Sequence, residues 1–177
     1  MKTFKEFTNE EFDPESVKIA NSTSRNLGAI GAKAITPRHV EKVAHKDHTI
    51  LDFGSGKDAA HAKNLRAKGF NVTAHEFGSN QNENHDKNAL NRQYNHVYAS
   101  NVLNVQSSKE MMGKTLDQIH AATKKGGAFT GNFPESPRKA SDIDADHVEG
   151  ELKKRFEVVK RVGGTKKAPL FHAQNPK

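Results

Sequence analysis

Apolar positions fall into short continuous runs separated by stretches of helical spacing, an alternation that predicts an α/β fold with a mostly parallel sheet. The runs at 49–53, 70–77, 97–105 and 128–133 read as strands. Between them, residues 57–68 read as a helix with Ala62 and Leu65 on one face and Gly69 as terminator. A second helix is expected from a Ser107 or Ser108 cap to Lys125, with Met112, Leu116 and Ile119 at helical spacing and Gly126 ending it. A third spans 142–156, with Val148, Leu152 and Phe156 in one stripe. Upstream, Thr36-Pro37 predicts a helix start capped by the hydroxyl, with Val40 and Val43 facing inward. Two last runs, 156–162 and 168–173, are joined by Gly163-Gly-Thr-Lys-Lys167. That link is too short for a parallel crossover, so they should form an antiparallel hairpin. Residues 1–35 read as an arm or docking helix, in which Phe4, Phe7 and Phe12 stand among charges, and residues 36–177 as one domain.

Chemistry is concentrated in Thr49-Ile-Leu-Asp-Phe-Gly-Ser-Gly-Lys-Asp58. An apolar run ending in Asp52, then Gly54 and Gly56, describes a strand turning tightly toward a helix with free N–H groups presented to a ligand. About 20 residues after the glycines, Glu76 ends the next strand, where an acid can accept hydrogen bonds from ribose hydroxyls. Gly54, Gly56 and Ala59 also satisfy the looser dinucleotide fingerprint, so the glycines alone do not choose between cofactors. Asp52 does: a carboxylate there would repel a pyrophosphate but suits a cationic amino group, such as that of a methionine moiety.

The whole pattern, Asp-x-Gly-x-Gly followed by Glu76, resembles the class I S-adenosylmethionine-dependent methyltransferases. The resemblance continues through Tyr94-Asn-His-Val-Tyr-Ala-Ser-Asn-Val-Leu-Asn-Val105, similar to the family's fourth motif. It extends to Lys124-Lys-Gly-Gly-Ala-Phe-Thr130, similar to the glycine pair opening its fifth strand, and covers residues 36–174. It implies a Rossmann-like sheet closed by an antiparallel hairpin, and S-adenosyl-L-methionine as cofactor. The implied cofactor residues are Asp52, Gly54, Ser55, Gly56, Asp58, Glu76, Asp86 and Asn101, with Asp86 placed to contact the adenine amino group. Residues after the fourth and fifth strands, Asn104, Asn132, Ser136 and Arg138, would border the methyl acceptor, with Arg138 orienting an anionic one. No catalytic residue is assigned.

The chain departs from the family pattern in three places. Asp58 stands at the third glycine, and Asn95 where the fourth strand usually carries an acid. Only Gly78-Ser-Asn-Gln-Asn-Glu-Asn-His-Asp86 occupies the space of a helix and a third strand. A noncatalytic S-adenosylmethionine-binding scaffold or accessory protein is therefore the alternative to an enzyme. The segment Gly131-Asn-Phe-Pro-Glu-Ser-Pro-Arg-Lys139 follows the wrong strand to be the Asn-Pro-Pro-aromatic motif of amino-methylating nucleic-acid enzymes.

Composition narrows the remaining choices. The absence of cysteine excludes disulfides, thiolate metal sites and a cysteine nucleophile. Ten histidines show no metal-ligand spacing, so no metal is expected. A hydrophobic fraction of 33% and a mean hydropathy of −0.85 predict a small core. The net charge of +7 favours anionic partners, nucleic acid first, and basic residues gather late, at Lys153, Lys154, Arg155, Lys160, Arg161, Lys166 and Lys167. No run is long and apolar enough for a bilayer, and Met1-Lys-Thr-Phe-Lys-Glu-Phe7 lacks a signal-peptide core, so a cytoplasmic location is expected.

Overall fold

The strands β1 (Thr49–Phe53), β2 (Asn71–His75), β3 (Tyr94–Ala99), β4 (Thr123–Asn132), β5 (Phe156–Thr165) and β6 (Ala168–Pro176) form one sheet in the order β2-β1-β3-β4-β6-β5. This is a computed structural model, which describes residues 12–23, 34–135 and 142–177. The first four strands are parallel, with Leu51 opposite both Thr73 and Val97, and Val97 opposite Phe129. The expected terminal hairpin is present: β6 is antiparallel to both β4 and β5, with Thr130 opposite His172 and Val159 opposite Ala173. Because the chain winds outward from β1 to β2 and then returns to place β3 on the other side, strand order reverses between β1 and β3. A crevice opens there at the carboxyl edge of the sheet.

Burial on both faces explains why these strands read as continuous apolar runs. On one face Leu51, Phe53, Val97 and Phe129 pack with Met112, Leu116 and Ile119 of α4 (Lys109–Ala122) and with Val148 and Leu152 of α5 (Ala145–Arg155). On the other, Ile50, Val72, Ala74 and Tyr98 meet Val40 of α2 (Ile35–Val43) and Ala62 and Leu65 of α3 (Ala60–Ala67).

Several element boundaries differ from the sequence expectation. In α2 the cap position is Ala34, and Thr36, buried in the first turn, makes no capping bond. The helix α3 begins only at Ala60, because Ala59 adopts the left-handed conformation (φ 48°) at its cap. The run expected to continue to Val105 leaves β3 at Ala99, and Leu103–Val105 form a single 3-10 turn. Ser108 does cap α4, accepting a hydrogen bond from the Met111 N–H (3.0 Å). That helix ends at Ala122, and Gly126 lies inside β4, where the register against β3 shifts between Tyr94 and His96. The helix expected from 142 begins at Ala145, where Asp144 caps α5 through the His147 N–H (2.7 Å).

The trimmed middle leaves β2 as an edge strand whose outward carbonyls are nevertheless occupied. Val72 O accepts from Arg66 Nε (2.7 Å) and Ala74 O from the Asp86 N–H (2.9 Å). A side chain of α3 and a loop peptide thus stand where a neighbouring strand would pair. Upstream, α1 (Pro14–Thr23) is capped by Asp13, which accepts from the Ser16 N–H (2.9 Å). The helix lies beside the turns Gly78–Asn80 and Leu103–Val105, at the carboxyl edge of the sheet, and Phe12 meets Phe77 edge-on with ring centroids 5.3 Å apart. Phe4 and Phe7 lie outside the described residues. Among the described residues no helix is long and apolar enough to cross a membrane.

Much of the late positive charge is neutralised locally. Lys153 pairs with Glu149 (2.6 Å), Lys154 with Glu151, Arg155 with Asp117 and Glu151 (2.8 Å each), and Arg161 with Asp146 and Glu149 (2.6 Å each). Lys160, Lys166 and Lys167 are exposed.

Candidate functional site

At the switch point β1 gives way to the Gly54-Ser55-Gly56 turn, and the two glycines serve different ends. Both have positive φ, 72° and 77°. A Cβ on Gly54 would lie 2.7 Å from Val102 Cγ2, so the missing side chain lets the loop after β3 close onto the turn. A Cβ on Gly56 would meet nothing within 4 Å, so backbone is bare there toward open space. Between them the Ser55 N–H donates to His75 O (2.8 Å), prolonging the β1–β2 ladder into the turn.

Glu76 closes on that turn from the end of β2. Its carboxylate accepts from the Gly56 N–H (2.6 Å) and from the Phe77 N–H (2.8 Å). Burial holds its pKa above the ordinary carboxylate value, opposed by those two N–H groups. A carboxylate offers about four acceptor positions. With two filled by backbone, others remain for a pair of hydroxyl groups.

Asp52 sits beneath the turn rather than on its open rim. It is 1% exposed, and burial pushes its pKa up to about 7. Tyr98 adjoins it, with its own pKa raised by burial, but without hydrogen-bonding geometry, so both carboxyl oxygens and the phenol are left without protein partners. Asp58 is exposed on the approach to α3.

Asp86 is engaged within the chain. It accepts from the Asn88 N–H (2.8 Å) and pairs with Arg92, and that N–H, followed by Arg92, holds its pKa below the ordinary value. It thereby fixes the turn at Ala89–Asn91. Asn95 lies at the opposite, amino end of β3, where its Oδ1 accepts from both the N–H and the hydroxyl of Thr49 (3.0 Å each). Its work there is to hold β1 against β3, away from the crevice.

Across the crevice, Asn101 and Asn132 form a reciprocal pair. The Asn101 N–H donates to Asn132 Oδ1 and Asn132 Nδ2 donates to Asn101 Oδ1, both at 2.7 Å. Asn101 has φ 56°, a left-handed conformation that asparagine tolerates better than most residues. The pair ties the end of β3 to the end of β4. Asn104 follows in the next turn, half-buried, with Oδ1 lacking a partner. Ser136 and Arg138 lie outside the described residues.

Two groups of residues that the sequence reading passed over organise this region. Gln106 holds the β3 loop, donating to Val102 O (2.8 Å) and accepting from the Thr115 hydroxyl (2.7 Å). The polar segment after β2 reaches back to the glycine turn: Asn82 Nδ2 donates to Lys57 O (2.8 Å), and His85 bonds Gly56 O (2.9 Å). The density of Asn and His in 78–86 was a visible signal, since short polar side chains hydrogen-bond nearby backbone. Among the described residues no group of three His, Asp or Glu could hold a metal ion.

S-adenosylmethionine can be tested against these observations. The open space at Gly56, the spare acceptor capacity of Glu76 and the unpartnered atoms Asp52 Oδ1 and Oδ2, Ser55 Oγ and Asn104 Oδ1 suit a ligand with ribose hydroxyls and an amino group. The residues present fit the group.

Comparison with known proteins agrees with the fold. A TehB-like SAM-dependent methyltransferase from Corynebacterium glutamicum is 14% identical, with 92% of this chain and 100% of that chain covered and a TM-score of 0.62. The 1,6-didemethyltoxoflavin-N1-methyltransferase of Burkholderia thailandensis, solved with 1,6-didemethyltoxoflavin and S-adenosylhomocysteine, is 16% identical over 93% of this chain and 80% of that one, with a TM-score of 0.55. At these identities the likeness is one of fold. No curated protein matches the sequence. A family model described as a methyltransferase domain matches residues 20–161, most of the chain. The chain therefore belongs to the methyltransferase domain family, in its class I, Rossmann-like form.

Proposed function

We propose that this protein binds S-adenosylmethionine at the β1–β3 switch point and transfers its methyl group to an acceptor carrying negative charge. The observation that carries the reading is the Gly54–Gly56 turn with the Glu76 carboxylate closed on the Gly56 N–H beside open space. When bound, the cofactor supplies a methyl group on a sulfonium, already activated for displacement. The chain's task is then mainly alignment. In this reading Gly56 and Glu76 hold the ribose side, Asp52 and Ser55 lie below the amino-acid side, and the Asn101–Asn132 pair fixes the wall nearest the acceptor. Asp58 and Asp86 complete the proposed cofactor set, Asp86 through the turn that it holds.

The terminal hairpin supports an anionic acceptor. Its turn comes to the same edge as the end of β4: the Phe133 N–H donates to Pro169 O (3.0 Å) and the Glu135 N–H to Lys167 O (2.7 Å). Exposed Lys166 and Lys167 therefore stand beside the segment that leads to Ser136 and Arg138, the residues proposed with Asn104 and Asn132 to border the acceptor.

Calorimetric titration with S-adenosylmethionine, S-adenosylhomocysteine and NAD(P)H tests the cofactor. Methyl-labelled cofactor incubated with the protein and a broad extract tests transfer, and Arg138→Ala is expected to lower labelling while leaving cofactor affinity in place. Tight binding with no labelling would favour a noncatalytic scaffold. Binding of NAD(P)H alone would end the reading.

A further inference from the structure

The segment that replaces the missing helix and strand does more than shorten the connection. His85 is 8% exposed and both ring nitrogens are committed. The Asn82 N–H donates to Nδ1 (3.0 Å), so Nδ1 must be unprotonated. Nε2 faces Gly56 O at 2.9 Å and must carry the proton. The surroundings thus select one neutral tautomer. Around it, Asn82 and Asn84 donate from Nδ2 to Lys57 O (2.8 and 3.3 Å), while Glu76 takes the Gly56 N–H (2.6 Å). Three successive peptide groups at the open end of the glycine turn are gripped from residues 76–85. On its own side the turn supplies only the Ala59 N–H to Gly56 O (3.1 Å).

We infer that His85 is a positioning residue for the cofactor: its Nε2–H sets the plane of the Gly56–Lys57 peptide, and the segment 78–86 acts as a latch on the glycine turn. The inference rests on the cofactor reading above. Glycine at 56 makes the turn adaptable, and a ligand that lies against the Gly56–Lys57 peptide binds more tightly when that peptide is held beforehand.

The test is titration of the protein with S-adenosylhomocysteine, for wild type, His85→Ala, His85→Gln and His85→Asn, with thermal midpoints measured alongside. A glutamine amide can replace the Nε2 donor, and an asparagine can replace only the acceptor near Nδ1. His85→Ala and His85→Asn should bind about fivefold more weakly, the effect of losing a hydrogen bond of roughly 1 kcal/mol, and His85→Gln should recover most of that loss. Equal binding by all four proteins, or a loss that follows thermal stability with no recovery in His85→Gln, overturns the latch. Failure of the wild type to bind overturns the cofactor reading itself, and the latch with it.

Discussion

At the scale of single residues, the two glycines of one motif separate into a packing role and an access role. Gly54→Ala places a methyl group against Val102, at a backbone angle that alanine resists, so it should lower the thermal midpoint. Gly56→Val meets open space, but at φ 77° a β-branched residue is strained, so it too should lower the thermal midpoint. It should leave a folded protein that no longer binds S-adenosylhomocysteine, and unchanged affinity would remove the central claim about the turn. Glu76→Ala should weaken binding by about 1.5–3 kcal/mol, the range for a hydrogen bond to a charged group, when measured by calorimetry. The sequence marked these residues because strand, glycine turn and acid lie at fixed separations. It did not reveal that Val102 fills the space over Gly54 or that Asn132 grips Asn101, since both partners arrive from distant parts of the chain. Asp86 shows the converse. A position matched to a ligand contact is held by its own loop, through Asn88 and Arg92.

Elements were legible in kind and order, and less so at their ends. Hydrophobic runs and helical spacing depend on the core, which both sides of β1 face, so β1 stands where the pattern put it; the hairpin, whose β5 is mostly exposed, stands where its short link put it. Boundaries obey local conformation: Ala59 in the left-handed region delays α3, and the register shift in β4 absorbs Gly126, expected to stop α4. The exposed edge of β2 depends on a contact no periodicity encodes, Arg66 on Val72 O. Arg66→Ala should cost about 1 kcal/mol, read as a lower denaturation midpoint, because the carbonyl loses its partner. The same variant should self-associate more readily at high concentration, since an unpaired strand edge recruits another. A monodisperse, equally stable variant would show that water serves that carbonyl as well as the guanidinium does. In the hairpin, Lys166→Ala with Lys167→Ala tests the acceptor's charge. If the acceptor is nucleic acid, affinity should fall steeply with salt in the wild type and less steeply in the double variant.

For the molecule as a whole, the buried histidines make stability depend on pH in a direction that can be worked out. Burial pushes His75 and His96 down to about 3 and His172 to about 4, against an ordinary value of 6.5. His75 lies between Phe53 and Phe77, while His96 and His172 both bond the Thr130 hydroxyl, at 2.8 and 2.9 Å. As pH falls through about 6.5 the unfolded chain takes up protons that the folded chain refuses. The stabilisation is therefore complete above that pH and is lost progressively toward pH 3 to 4. Asp52 acts in the opposite sense. Its carboxyl, raised from 3.8 to about 7, stays protonated in the folded protein over a range where the unfolded chain has ionised, so its contribution is largest in acid and disappears as pH rises through 7. These three histidines, with His39 and His120 lowered by burial in the same sense, against Asp52 and the likewise raised Glu76 predict a thermal midpoint that falls between pH 7 and pH 4. His96→Gln, which can still bond Thr130, should make that fall shallower. Asp52→Asn should raise the midpoint at pH 8, by removing a buried ionisation, and steepen the acid loss, while weakening cofactor binding if the carboxyl serves the amino group of the ligand. A midpoint constant from pH 7 to pH 4 in the wild type, or one that rises, would contradict the burial of these rings and with it the packing of α2 beside His96 and His172.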